Sequence, residues 1–159
     1  MLDAHKVYHE DYTSIFDDDG QNILEAILKH LDQDEEDPLD YIFVFDDLSA
    51  ELKNMNIIGK LMKENRHYHA MVIVSSQYWN DLPVYACGQI DYALLFGKIA
   101  EDKLENAYRN MGLSVDFGDF LQLYDVATKE KFHFLYVNIT ENLFRMDFNV
   151  RLSIVRAFS

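Results

Sequence analysis

Two apolar runs of nearly equal length, 41–45 and 70–74, each break off into polar residues. Asp46 and Asp47 follow the first run, and Ser75, Ser76 and Gln77 follow the second. The first run does not alternate, so both of its faces are expected to be buried, as in a central parallel strand. Between the runs, "ELKNMNIIGKLMKENRH" (51–67) repeats apolar residues at helical spacing: Leu52, Met55, Ile58 or Ile57, Leu61 and Met62. Ser49 is the expected N-cap. Strand, helix and strand at this length make a βαβ unit, whose strands are parallel. A third such strand is expected at 90–96, reached through the loop "YWNDLPVYACG". Helical patterns follow at about 101–111 and 115–125. The segment "KFHFLYVNI" (131–139) alternates as a strand, and "NLFRMDFNV" (142–150) is expected to close the sheet with it as an antiparallel hairpin. Upstream, "GQNILEAILKHL" aligns Ile23, Leu24, Ile27, Leu28 and Leu31 on one helical face. The cluster "LDQDEEDPLD" (31–40) reads as a solvated acidic loop, with Pro38 ending any helix that enters it.

The expected fold class is α/β: a mostly parallel sheet with flanking helices and a C-terminal antiparallel hairpin. The parts are a helix and acidic loop (1–40), a βαβ core (41–97), and helices plus the hairpin (98–159). The chain has 159 residues, 49% hydrophobic and 14% aromatic, enough for one domain with its own core. A formal charge of −14 repels phosphate backbones, so the chain alone is expected to be a poor non-specific nucleic-acid binder. The single cysteine, Cys87, excludes an internal disulfide. No apolar run approaches the ~18 residues of a membrane span, and the charged N-terminus does not read as a signal peptide. The expectation is a soluble, intracellular protein.

In parallel α/β sheets ligands bind beyond the carboxyl ends of the strands. Asp46–Asp47 and Ser75–Ser76–Gln77 leave two such ends. A buried apolar strand running into two acids is the Walker B pattern of P-loop ATPases. Asp46 would help to hold Mg²⁺, a hard cation that takes oxygen ligands and keeps several waters. Asp47 would orient or activate the water that attacks the γ-phosphate of ATP, and Gln77 would contact that water or the phosphate. Ser76 stands beside Gln77 as a candidate nucleotide contact.

The segments "YIFVFDDLS", "LMKENRHYHAMVIVSSQYWNDLP", "YALLFG" and "HFLYVNITENLFRMDFN" resemble the genome-packaging ATPases of large DNA viruses, of the poxvirus type and the FtsK–HerA division. The resemblance runs from Asp40 to about Asn149. It implies an additional-strand P-loop fold and a ring-shaped homo-oligomer that drives double-stranded DNA into a capsid by ATP hydrolysis. It further implies Asp46 for Mg²⁺, Asp47 as catalytic carboxylate, Gln77 as sensor, and a place in the cytoplasm of an infected cell or with the virus. Arg66, at the helix-to-strand junction, is the candidate arginine finger reaching a neighbouring subunit's nucleotide. The alternative at that position is a surface arginine paired with an acid. Arg145 in "LFRMDF" is a second arginine at a family-like position.

The sequence departs from this family in one respect. A phosphate-binding loop needs G-x-x-x-x-G-K-[ST]. Gly59-Lys60 is followed by Leu61 and Gly97-Lys98 by Ile99, and neither pair has a glycine five residues earlier. The Walker A segment is therefore expected from outside this chain, as a missing N-terminal segment or a partner chain. Three other readings compete. One is a different P-loop translocase or helicase, and one is a non-catalytic α/β interaction module derived from an ATPase. The third, a Mg²⁺ nuclease using Asp46, Asp47 and Asp91, is disfavoured because Asp91 lies near the start of its expected strand, at the opposite end of a parallel sheet from Asp47. Weaker signals read as structural. His67 and His69 are too few for a zinc site, "FDDDG" (16–20) is an acidic turn, Cys87 is a buried thiol, and Tyr78 and Trp79 read as packing residues in preference to a base-stacking or DNA-facing loop.

Overall fold

The computed structural model describes residues 10–32, 40–47 and 56–154. Ser49, most of the acidic cluster and the first turn of the helix expected at 51–67 lie outside them.

The first helix, α1 (Ile23–Leu31), starts where Asn22 Oδ1 accepts the Glu25 amide at 3.0 Å. That cap satisfies one orphan donor of the first turn. Before it, the Asp17 carboxylate accepts the amides of Asp19 and Gln21, which makes the acidic turn. Strand β1 (Tyr41–Asp46) and strand β2 (Ala70–Ser75) pair in parallel, from Tyr41↔Ala70 to Asp46↔Ser75. The helix between them, α2 (Asn56–Glu64), ends two to three residues before the sequence pattern suggests. There the backbone turns through His67 N–H to Glu64 O and Ala70 N–H to Asn65 O, delivering the chain to β2. Leu24 and Leu28 of α1, Ile58 and Leu61 of α2, and Phe45 of β1 form the first core.

The loop after β2 holds a 3₁₀ turn (Trp79–Asp81) and the short helix α3 (Val84–Cys87). Strand β3 (Tyr92–Phe96) follows, then α4 (Glu101–Met111) and α5 (Phe117–Ala127). Gly112, at φ +62°, takes the left-handed position that ends α4, and Asp116 Oδ1 caps α5 through the Asp119 amide. Strands β4 (Phe134–Asn138), β5 (Leu143–Met146) and β6 (Val150–Leu152) complete a four-stranded antiparallel sheet in the order β3-β4-β5-β6. Its core gathers Leu104, Phe120, Leu135, Val137 and Phe144. Tyr124 ties α5 to the exit of β3: its hydroxyl donates to Phe96 O at 2.7 Å and accepts the Ile99 amide at 3.0 Å.

The α/β class, the parallel βαβ unit and the C-terminal hairpin are all present. Two finer expectations are corrected. The third strand pairs antiparallel with β4 and, among the described residues, not with β2. Also, β1 is not buried on both faces: Ile42 and Val44 are exposed although apolar, while Phe45 points into the core. A continuous apolar run states which residues avoid water, not which faces the same chain covers. Among the described residues no helix is long and apolar enough to cross a membrane.

Candidate functional site at the carboxyl end of the parallel strands

The register of the parallel pair sets the geometry. Asp46 lies opposite Ser75, each the last residue of its strand. Asp47 and the Ser76–Gln77 step therefore leave the sheet side by side, at its carboxyl end. Asp47 adopts φ +53°. Aspartate tolerates this left-handed position better than most side chains, and it stops β1 abruptly. Asp46, Asp47 and Gln77 are exposed. Because side chains alternate along a strand, Asp46 and Ser75 share the face that carries Ile42, Val44, Met71 and Ile73.

The loop leaving β2 is organised by Asp81. Its Oδ2 accepts the Ser76 hydroxyl at 2.6 Å and the Tyr78 amide at 3.1 Å. Ser76 thus serves the loop that presents Gln77. Trp79 packs on the core of the second sheet, in keeping with a packing role. Tyr78 is exposed, with the Lys103 ammonium 5.5 Å from its ring centroid. With Asn80 and Asn106 these residues line a shallow cleft of about 160 Å³. Lys103 and Asn106 come from α4, 26 and more residues beyond Gln77 in sequence, and no local pattern could have brought them here.

Arg66 does not join the acids. It sits in the turn before Ala70, at the amino end of β2. Six strand residues at ~3.3 Å each separate it from the acidic end by about 20 Å. It cannot serve a ligand held by Asp46 of the same chain. Arg145 lies on β5, its Nη1 donating to Phe148 O at 2.8 Å and its guanidinium 6.0 Å from the Tyr136 ring centroid. Cys87 is buried, and burial pushes its thiol above the ordinary value, which suits an inert thiol. His67 Nε2 meets Asp32 Oδ1 at 3.2 Å. Gly59 proves to be a packing position: a Cβ there would lie 1.6 Å from Tyr85 Cε2.

Among the described residues, no three or more His, Cys, Asp or Glu side chains cluster as a metal site. Two adjacent carboxylates can hold a divalent cation only if water or ligand oxygens supply the remaining positions. That donor set fits Mg²⁺, which keeps several waters and shares the phosphates of its nucleotide.

Residues 9–155 match the family model described as Poxvirus A32 protein. A comparison with individual curated proteins finds no match. Three solved structures of the genome packaging NTPase B204 from Sulfolobus turreted icosahedral virus 2 share the fold. The complex with ATPγS gives a TM-score of 0.56 at 15% identity, covering 91% of this chain and 66% of B204. The AMPPCP complex gives 0.54 at 17% identity, covering 84% and 60%. The AMP complex gives 0.52 at 18% identity, covering 72% and 53%. The chain thus spans about half to two thirds of the length of these structures.

Proposed function

The chain belongs to the Poxvirus A32 protein family, and from that premise we propose that it is the part of a genome-packaging ATPase that carries the paired acids and the sensor glutamine. One observation supports this above all: the Asp46↔Ser75 register brings Asp46, Asp47 and Gln77 out at one end of one parallel pair. The similarity in fold to B204, solved with ATPγS, AMPPCP and AMP, adds support for nucleotide binding.

In this reading Asp46 holds Mg²⁺ through water, and the ion, when bound, screens charge on the phosphate oxygens. Asp47 orients the attacking water and takes up its proton. Gln77 contacts the terminal phosphate or that water, and the Asp81-braced loop carries the change toward α4. The rigidity of β1 matters because positioning supplies most of the catalysis of phosphoryl transfer. Ser76 serves by bracing Gln77 more than by touching the nucleotide. Arg66, on the far rim, acts only on a neighbouring subunit's nucleotide, which requires an oligomer. The G-x-x-x-x-G-K-[ST] segment comes from outside these 159 residues. Double-stranded DNA, repelled by a chain of charge −14, is gripped by other surfaces of the ring, in the cytoplasm of the infected cell.

The test is ATP turnover by this chain joined to a phosphate-loop segment, with and without Asp47→Asn. The expected outcome is ATP binding retained and hydrolysis reduced by ~10²–10⁴-fold, the usual contribution of a general base. Hydrolysis at the wild-type rate in the variant would remove Asp47 from the chemistry.

A further inference from the structure

The turn that carries Arg66 is on the surface, yet it is held from three directions. Four backbone hydrogen bonds close it. The His67 and Tyr68 amides donate to Glu64 O at 2.8 and 3.2 Å, the His69 amide to Arg66 O at 3.3 Å, and the Ala70 amide to Asn65 O at 2.8 Å. A fifth, from the Tyr41 amide to His69 O at 2.9 Å, fastens it to the start of β1. Tyr68 is the second hold. Arg66, His67 and His69 are exposed around it, but Tyr68 is 3% exposed and joins the first core with Leu28, Ile58 and Leu61. Its hydroxyl donates to Glu64 Oε2 at 3.3 Å.

The third hold comes from Asp32, which caps the C-terminus of α1. Its Oδ1 lies 3.2 Å from His67 Nε2 and its Oδ2 3.9 Å from Lys60 Nζ of α2. Lys60 is also 3.9 Å from Glu64 Oε2. One carboxylate thus joins α1, α2 and the turn. Arg66 takes no part in this network. In a chain with 28 acids, it makes no ion pair among the described residues. Asp32 and Glu64, the acids of the network beside it, are engaged by His67, Lys60 and Tyr68 instead.

We infer that Asp32 and Tyr68 are positioning residues for Arg66: they fix the turn that presents the guanidinium outward, and Asp32, held by His67 and Lys60, does not draw it back. The inference rests on the reading of Arg66 as a residue that acts on a neighbouring copy's nucleotide, and adds which groups of its own chain hold it ready. A loose turn would lose backbone freedom each time the guanidinium met a phosphate, and a turn already fixed does not.

The test is ATP turnover by the natural protein in its assembled form. Asp32→Ala removes both contacts of the carboxylate. Tyr68→Phe removes the hydroxyl and keeps the packed ring, so it preserves the fold. Each is measured alone and combined with Arg66→Ala. Exposed contacts of this kind are individually weak, so each single variant should lower kcat by about 2–5-fold, with KM for ATP unchanged. Loss of an arginine that stabilises the transferring phosphoryl group costs ~10³-fold or more. In the Arg66→Ala background, Asp32→Ala and Tyr68→Phe should change nothing further, because the residue they position is gone. An equal loss in both backgrounds would show that they act on general stability, and wild-type turnover in both single variants would show that they do not act at all. Either result overturns the inference and leaves Arg66 its role. Wild-type turnover in Arg66→Ala itself would remove the reading of Arg66, and the inference with it.

Discussion

Replacing Gly59 by alanine tests how the loop beyond Gln77 is anchored. Glycine inside α2 costs about 1 kcal/mol relative to alanine, so on helix propensity alone Gly59→Ala stabilises. The structure reverses the sign. A Cβ at 59 meets the Tyr85 ring at 1.6, 2.4 and 2.7 Å, and the ring must leave. Tyr85 is 49% exposed, so its displacement forfeits about half of the ~2–3 kcal/mol that burying an aromatic side chain supplies. The contact from its hydroxyl to Asn56 Oδ1 at 3.3 Å is lost as well, worth roughly 0.5 kcal/mol at an exposed site. The net is a destabilisation of about 0.5–1 kcal/mol, a melting temperature lower by ~1–4 °C for a chain of this size. In a Tyr85→Ala background the clash is absent, and Gly59→Ala should stabilise by about 1 kcal/mol. The double-mutant cycle, read by urea denaturation and thermal melting, should therefore show coupling of ~1.5–2 kcal/mol. Stabilisation by Gly59→Ala in both backgrounds would refute the packing of α3 on α2.

Two further outcomes follow from other parts of the fold. Asp147 Oδ2 meets His133 Nδ1 at 2.6 Å, and this hydrogen bond, with the Phe134 amide, holds the carboxyl below its ordinary 3.8. A depressed carboxyl stabilises the fold above the unfolded value and loses that contribution as pH falls through the folded one. The stability difference between wild type and Asp147→Asn, followed by urea unfolding from pH 6 to pH 2.5, should be full above about pH 4 and close below it; a constant difference would contradict the pairing. Buried Cys87, with its thiol pushed up, should react with iodoacetamide at pH 7.5 far more slowly in the folded chain than in urea, and equal rates would mean that α3 is open.

The parts of this fold that depend on neighbours in sequence were legible. Apolar runs ending at Asp46 and Ser75, with a helical repeat between them, sufficed for the βαβ unit and hence for placing the acids beside Gln77. Errors arise where distant residues decide. Whether Ile42 and Val44 are covered depends on what packs over β1, which no local pattern records. The partner of β3 depends on β4, some forty residues on. Helix α5 starts two residues later than its apolar pattern because Asp116 caps it. The strand expected at 131–139 loses its first three residues, since Phe132 turns through φ +69° and is nearly fully exposed. Gly59 resembles a fragment of a phosphate loop until Tyr85, 26 residues away, is seen against it. The separation of Arg66 from the acids was implicit in the parallel strands, because one residue enters β2 and the others leave β1.

The central claim is that a metal-bound triphosphate sits at the carboxyl end of β1 and β2, held by this chain's acids. The most direct measurement is paramagnetic broadening of amide NMR signals in the chain joined to its phosphate-loop segment, loaded with ATP and substoichiometric Mn²⁺ in place of Mg²⁺. The prediction is that Asp46, Asp47, Ser76 and Gln77 broaden first, while Arg66 to His69, about 20 Å away at the other end of the strands, persist. Broadening centred on Arg66 to His69, or spread evenly over both ends, would contradict it.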